Sequence, residues 1–491
     1  MGQIETLLST RLSHLLLVVL FVSTTLLVFR TVYRLILHPL AHIPGPLRWK
    51  TTSLFLYYHA YVGDEATVIH AAHLEYGPFV RVSPNEVDIS DADAVNPIYV
   101  SRGGFLKAPC YANFDIDGHP TIFSGLDPNH RASRAKAVVP MFSTKSIREN
   151  EAALCECVDR MVGRMEEEAS TGRAVNVLNL SRSLAVDAMS THLFQENYHG
   201  TSEKGKILSL SSFVGAFVAI GRFFYLPTFV FVWLEWATER AFPDEHTNAS
   251  IQLVGKFFDQ LVELTPTGAQ NYPGRLTALG IARTEVKAQC KDLLFAGTDS
   301  TGMNLSTIFG VLALHQDKFE ILRKEVLANI NAGDKKRDIQ ALPYLSGVVR
   351  EGLRLSMANP TRLPHVVPYG GWTFKGTHFP AGSVVGCSAT ELHLNPQAYP
   401  NPYEFRPERW LPENITPIAE EFLFAFGAGS RACIARNLAT VELYMATEKI
   451  AAKGVLRGAR ACQDKVEIYE WFNSSVKGEK IELIWDKFRV S

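Results

Sequence analysis

Cysteine is scarce in this chain, with seven among 491 residues. Cys110, Cys155, Cys157, Cys290, Cys387, Cys433 and Cys462 are odd in number and scattered, without the paired spacing of a metal knuckle. That argues against a disulfide framework and places the bulk of the chain in a reducing compartment. Charge of one sign is missing too: Lys and Arg number 49, Asp and Glu 50, for a net charge of −1. A nucleic-acid-binding surface would need a basic surplus, so nucleic acid is set aside as a partner. No Gly-x-Gly-x-x-Gly follows a strand-like run, so a nicotinamide or flavin fingerprint is absent. Internal repeats and low-complexity tracts are absent as well. One large domain over residues 37–491 is the simplest partition.

Long hydrophobic runs are rare, with one exception. Residues 12–29, LSHLLLVVLFVSTTLLVF, are nearly uncharged and just long enough to cross a bilayer as a helix. Arg30, Arg34, Arg48 and Lys50 follow this run, against Arg11 and Glu5 before it. The positive-inside bias puts the rest of the chain in the cytosol. A cleaved signal peptide is the alternative, but no small-x-small cleavage site follows the run. Residues 1–36 are therefore expected to form a single-pass anchor. Pro39, Pro44, Gly45 and Pro46 then make a stiff turn that no helix can continue through.

Beyond the turn, apolar periodicity predicts helices over 145–168, 174–195, 283–315, 317–331, 343–356 and 434–451. Strand signals occur at 78–90, 370–386 and 480–485. The expected fold class is mainly α with small β-sheets. Residues 210–236 are the most aromatic part of the body, but Arg222 and Pro227 interrupt them. They are read as two short helices that line a substrate channel or dip into a membrane surface.

The densest chemical signal is FGAGSRACIA, residues 426–435, directly before a helix-forming run. A lone cysteine there is an inert thiol, a nucleophile or a metal ligand. Backbone N–H groups of the turn and the positive end of the next helix would favour a Cys433 thiolate. Gly427 and Gly429 permit close backbone approach. Arg431 offers a cation to an anionic cofactor group.

The full pattern Phe426-x-x-Gly429-x-Arg431-x-Cys433 resembles the haem-binding loop of the cytochrome P450 family, with Ala435 where the family has a final glycine. The resemblance implies the cytochrome P450 fold, Cys433 as axial thiolate on haem iron, and Phe426 beside its sulfur. Thiolate ligation favours O–O cleavage. Further motifs follow the family order. REGLRL places Glu351 and Arg354 on one helix face, and FRPERW adds Arg409. In the family these make a structural Glu-Arg-Arg cluster. LLFAGTDSTG supplies Ala296, Gly297, Asp299, Ser300 and Thr301. The resemblance gives Asp299 and Ser300 the delivery of protons to bound dioxygen, with Thr301 assisting and Ser300 replacing the usual threonine. His130 and Arg134, at i and i+4, fall where the family places cations for the haem propionates. Arg431 and His365 join them, and Arg362 lies near but out of register.

The resemblance further implies haem b, dioxygen, and electrons from NADPH through a separate NADPH–cytochrome P450 reductase, with cytochrome b5 as a second donor. It places the protein on the endoplasmic reticulum membrane with its catalytic domain in the cytosol, and its style is that of fungal microsomal members in secondary metabolism. Substrate contacts are expected from Phe105, Phe114, Phe123, Ala296, Leu363 and Phe472, so the substrate is a hydrophobic small molecule. Two other functions stay open: a haem-thiolate isomerase or dehydratase acting on a peroxide, and a non-catalytic anchored haem binder. Asp299 and Ser300 argue against the first, and the second needs no water-handling groove.

Overall fold

The N-terminal apolar run forms helix α1 (Gly2–Val32), which continues as a π-type turn over Tyr33–Leu37. The computed structural model describes residues 2–203, 205, 207–241, 244–333 and 337–486. Among these, His14–Leu37 is the one stretch long and apolar enough to cross a membrane, with mean hydropathy 2.3 and no residue buried.

Arg81 fastens the exit of this helix to the body. Fully buried, it donates from Nη1 to the Arg34 carbonyl at 2.9 Å and from Nε and Nη2 to the Pro84 carbonyl. Its own N–H donates to the Pro44 carbonyl at 2.8 Å. Gly45 is required there: it sits at φ +147°, and a Cβ would come within 2.8 Å of the Arg81 carbonyl oxygen.

The remaining described residues bring the α-helices to eighteen, with twelve short strands. The largest sheet begins with the hairpin β1 (Phe79–Ser83) and β2 (Glu86–Ile89). It continues through β3 (Leu106–Lys107), β4 (His365–Val366) and β5 (Val384–Gly386) in the spatial order β1-β2-β5-β4-β3. The β3–β4 register sets Lys107 opposite His365. The strand signal at 370–386 thus becomes β5 plus a separate hairpin of Trp372–Phe374 with Thr377–Phe379. The signal at 480–485 becomes Glu482–Trp485, paired on both sides.

Seven further helices frame the site: α2 (Pro128–Val138), α3 (Val177–Met189), α4 (Ser211–Ile220), α5 (Thr228–Ala241), α6 (Arg283–Leu314), α7 (Pro343–Leu355) and α8 (Arg436–Lys453). The aromatic stretch 210–236 does split into two helices, α4 and α5, around Arg222 and Pro227. The helix expected over 145–168 is instead two, Thr144–Glu149 and Glu151–Ser170. Asn150 breaks it by donating its side-chain amide to the Ser146 carbonyl at 3.2 Å, a local bond that competes with helix continuation. Helix α6 runs 32 residues through the main core, and every residue of α3, which packs on it, is buried.

Candidate active site

The Cys433 loop is built by two glycines in the left-handed region, Gly427 at φ +64° and Gly429 at φ +68°. They fold the chain back so that the Cys433 N–H donates to the Phe426 carbonyl at 2.9 Å. The Ala435 N–H then donates to the thiol, while burial pushes the thiol's pKa up against that bond and the nearby Arg436 charge. Cys433 keeps accessible surface although it lies deep in the protein, so that surface opens inward. Such placement suits a ligand for a group held inside the fold. Phe426 is half-buried and packs against the main core.

Behind the loop lies the Glu351 cluster. Glu351 and Arg354 are wholly buried and paired at 2.8 Å, and Arg409 reaches Glu351 at 3.0 Å. A hydrogen-bonded relay connects this cluster to the loop. His393 Nδ1 donates to the Arg354 carbonyl at 3.1 Å, and His393 Nε2 accepts from the Phe424 N–H at 2.9 Å. That pattern needs a neutral imidazole, and burial beside Arg354 does lower the His393 pKa to about 3.

Three cations converge nearby. Arg431 and Arg131 act on Lys107, and Arg131 acts on Arg431, while the buried Asp292 carboxylate opposes them at Lys107 without a direct ion pair. The Lys107 ammonium donates to the Phe123 carbonyl at 2.7 Å and lies 4.0 Å over the Tyr111 ring. Burial, then Arg431 and Arg131, hold its pKa well below the ordinary lysine range. Burial and Arg131 lower Arg431 to about 10. Arg431 donates to the Gly125 carbonyl at 3.1 Å. Burial lowers His365 to about 4, with Lys107 and Arg431 adding to the effect, so it is neutral there. Like charges gathered around a buried lysine favour an anion between them.

His130 and Arg134 behave differently from expectation. Both turn to Glu285 on α6, Arg134 through Nε and through Nη2 at 2.9 Å, His130 through Nε2 at 3.4 Å. Arg134's charge is therefore already matched. His130 keeps a buried, unpartnered Nδ1, near Gly125 and thus near Arg431. Arg131, one residue along α2, acts on Lys107 and Arg431. Sequence reading missed Arg131, and it missed Lys107, whose signal was a single lysine between apolar neighbours.

On α6, Ala296 and Ser300 retain accessible surface in the middle of a buried helix. Ser300 Oγ donates to the Ala296 carbonyl at 2.7 Å. Asp299 and Thr301 are buried. Asp299 faces α3, where Arg182 Nη2 donates to its Oδ1 at 2.7 Å. The acid and the alcohol therefore stand on different faces of the helix. Arg182 lies outside the sequence motifs, in a helix that also carries Asn179, Ser181, Ser183 and Asp187.

Five rings gather from four segments: Tyr111, Phe114, Phe123, Phe224 and Phe472, with centroids 4.7 to 5.8 Å apart in contacting pairs. Leu363 packs against this cluster and against the second core, and its Cδ1 lies 3.6 Å from where a Cβ on Gly427 would be. The cluster thus borders the Cys433 loop. Phe105 does not join it: its ring packs edge-on to Trp372 at 5.6 Å, in the second core. Being next to the ring-bearing loop in sequence does not bring it there.

A deep, inward-opening thiol with a cluster of cations near it makes a cradle for a metal-containing group with acidic arms. Residues 44–450 match the Cytochrome P450 family, and the chain belongs to it. The chain is 35% identical to the cytochrome P450 monooxygenase mfmF of Annulohypoxylon moriforme, over 94% of this chain and 98% of that protein. It is 28% identical to the cytochrome P450 monooxygenase orf2 of Aspergillus niger, over 87% and 88% of the two chains. It is 27% identical to the fusicoccadiene C-8 hydroxylase of Alternaria brassicicola, over 88% and 87%. The chain is a monooxygenase of this family, whose members work with thiolate-bound haem, dioxygen and electrons from a reductase. The donor set fits such a group: one soft sulfur, three cations without a direct carboxylate partner among the described residues, and one orphaned imidazole nitrogen.

Proposed function

We propose that this chain is a membrane-anchored monooxygenase of fungal secondary metabolism that inserts one oxygen atom into an apolar small molecule. The observation that carries the reading is Cys433, deep in the fold yet open to its interior, with the Ala435 N–H on its sulfur. The overall reaction is RH + O2 + NADPH + H+ → ROH + H2O + NADP+, with NADPH electrons arriving through a separate reductase. Haem b, bound through Cys433, supplies the O–O cleavage chemistry. Lys107, Arg131 and Arg431 hold its acidic arms, with His130 Nδ1 and neutral His365 as hydrogen-bonding neighbours. Ser300 offers a hydroxyl that orients water on the accessible face of α6, and Asp299 holds the proton reserve behind it.

The ring cluster of Phe114, Phe123 and Phe472, with Ala296 and Leu363, binds the substrate and excludes water. The fusicoccadiene hydroxylase among the relatives supports an apolar substrate. Residues 1–36 anchor the domain 37–491, and the four cations after the run put that domain on the cytosolic face of the endoplasmic reticulum. Phe229, Val232, Trp233 and Trp236 on α5 stand exposed, as do Tyr58 and Tyr61, and the Tyr61 ring touches Phe223 at 5.7 Å. This patch extends the contact with lipid beyond the anchor.

The test is expression beside a reductase under heavy-isotope dioxygen, followed by untargeted metabolite comparison. New products should carry one heavy oxygen atom and vanish with Cys433→Ala. Products that form from an added hydroperoxide, unlabelled and without NADPH, would establish the isomerase reading instead.

A further inference from the structure

Loop 115–124 stands on two feet that carry rings, Phe114 just before it and Phe123 near its end. Its tip is a tight turn. Asp117 and Gly118 lie at φ +50° and +75°, and Ile116 and His119 exchange both backbone hydrogen bonds, at 3.1 and 2.9 Å. At the base, Ser124 Oγ donates to Asp115 Oδ1 at 2.6 Å, and the two rings stand 5.7 Å apart. One face of α6 holds this loop. Glu285, Gln289, Asp292, Ala296 and Ser300 follow one another at steps of three or four residues. Ala296 and Ser300 keep accessible surface, whereas Gln289, 1% exposed, meets the loop. Its Oε1 accepts from the Ile122 N–H at 2.9 Å, and its Nε2 donates to the Pro120 carbonyl at 3.1 Å. One amide thus pairs with two peptide groups, as a neighbouring strand would. A carboxylate or a thioether of similar length cannot offer both donor and acceptor. The Phe123 N–H donates to Asp292, and Lys107 Nζ donates to the Phe123 carbonyl at 2.7 Å. Phe123 is therefore fixed through both of its peptide groups, while its side chain stays half-buried against the ring cluster.

We propose that Gln289 is a positioning residue that sets specificity: by clamping loop 115–124 to α6, it fixes the Phe123 ring as a preformed wall of the substrate site. The proposal rests on the reading of the ring cluster as that site. A preformed wall spares a ligand the entropy of ordering the loop, so flat, ring-bearing ligands that match it bind best. Without the amide, the Pro120 carbonyl and the Ile122 N–H lose their partners and move to find new ones. The loop follows and the Phe123 ring loses its place. Preference for flat ligands then falls, while the Cys433 side of the site is unchanged.

The experiment titrates haem-loaded wild type, Gln289→Met, Gln289→Asn, Phe123→Ala and the double variant Phe123→Ala/Gln289→Met with imidazole and with 4-phenylimidazole. The Soret shift gives both dissociation constants. Both probes bind through the same ring nitrogen, so the ratio of the two constants isolates the phenyl contact. Gln289→Met should lower the preference for the phenyl compound about tenfold and leave imidazole itself nearly unchanged. Gln289→Asn, whose shorter amide reaches at most one partner, should lose part of that preference. Should Gln289→Met fail to load haem, Gln289→Asn decides alone, by a smaller loss in the same direction. In the Phe123→Ala background, Gln289→Met should change nothing further, because its effect runs through that ring. A wild-type ratio in the Gln289 variants would overturn the proposal. So would additive losses in the double variant, or equal weakening of both probes, which a general loosening of the fold would give. If Phe123→Ala leaves the ratio unchanged, the ring cluster is not the ligand site and the proposal falls with that reading. If Phe123→Ala lowers the ratio and Gln289→Met does not, the clamp alone is excluded.

Discussion

Glu351→Gln is expected to yield a chain that takes up almost no haem. Glu351 is fully buried and accepts from Arg354 Nε and Nη2, Arg409 Nε, Trp410 Nε1 and the Arg406 N–H, at 2.8 to 3.1 Å. An amide keeps the shape but turns an NH2 toward these donors and leaves two guanidinium groups without their counter-charge. Breaking a buried pair from one side costs about 3–5 kcal/mol. That is a large part of a typical folding margin of about 5–15 kcal/mol. The damage also travels. Arg354 Nη1 donates to the His393 and Pro402 carbonyls at 2.8 and 2.6 Å, and His393 holds Phe424, two residues before the Cys433 loop. Haem content per chain and the thermal midpoint measure the loss; wild-type values for both would show that the cluster supports nothing.

Gly429→Ala should be nearly as damaging, and Gly427→Ala should not. Both glycines lie in the left-handed region, where a Cβ costs about 1–2 kcal/mol. At Gly427 the nearest obstacle is the flexible end of Leu363, 3.6 Å away. At Gly429 a Cβ would sit 1.8 Å from the Tyr99 carbonyl oxygen and 2.9 Å from Val100 Cα, both backbone. Either the Cys loop or the Asn96–Val100 turn must move. Tyr99 cannot yield alone, since its hydroxyl donates to the Leu363 carbonyl and accepts from the Cys387 N–H, each at 2.8 Å. Haem incorporation should therefore survive Gly427→Ala and collapse in Gly429→Ala. Equal behaviour of the two would mean that φ, and not the approach to Tyr99, is what matters.

The loop at 426–435 was legible in sequence because its geometry is local: two glycines, a turn and a helix start within ten residues. The Glu351–Arg354 pair was legible for the same reason, as a three-residue spacing on one helix. What escaped depends on contacts made across the chain. Helical spacing put His130 and Arg134 on one face but could not show that Glu285, 151 residues after Arg134, would occupy it. Lys107 became part of a cation cluster through strand pairing with His365, and Arg182 met Asp299 only because α3 and α6 pack so closely. Phe105 has aromatic neighbours in sequence, whereas the fold sends it to Trp372.

The central claim is that Cys433 binds haem iron through its thiolate, and carbon monoxide tests it most directly. Reduced wild-type protein under carbon monoxide should give the red-shifted Soret band of thiolate ligation, and Cys433→Ala should lack it. A Cys433→Ala protein that still showed that band would contradict the account.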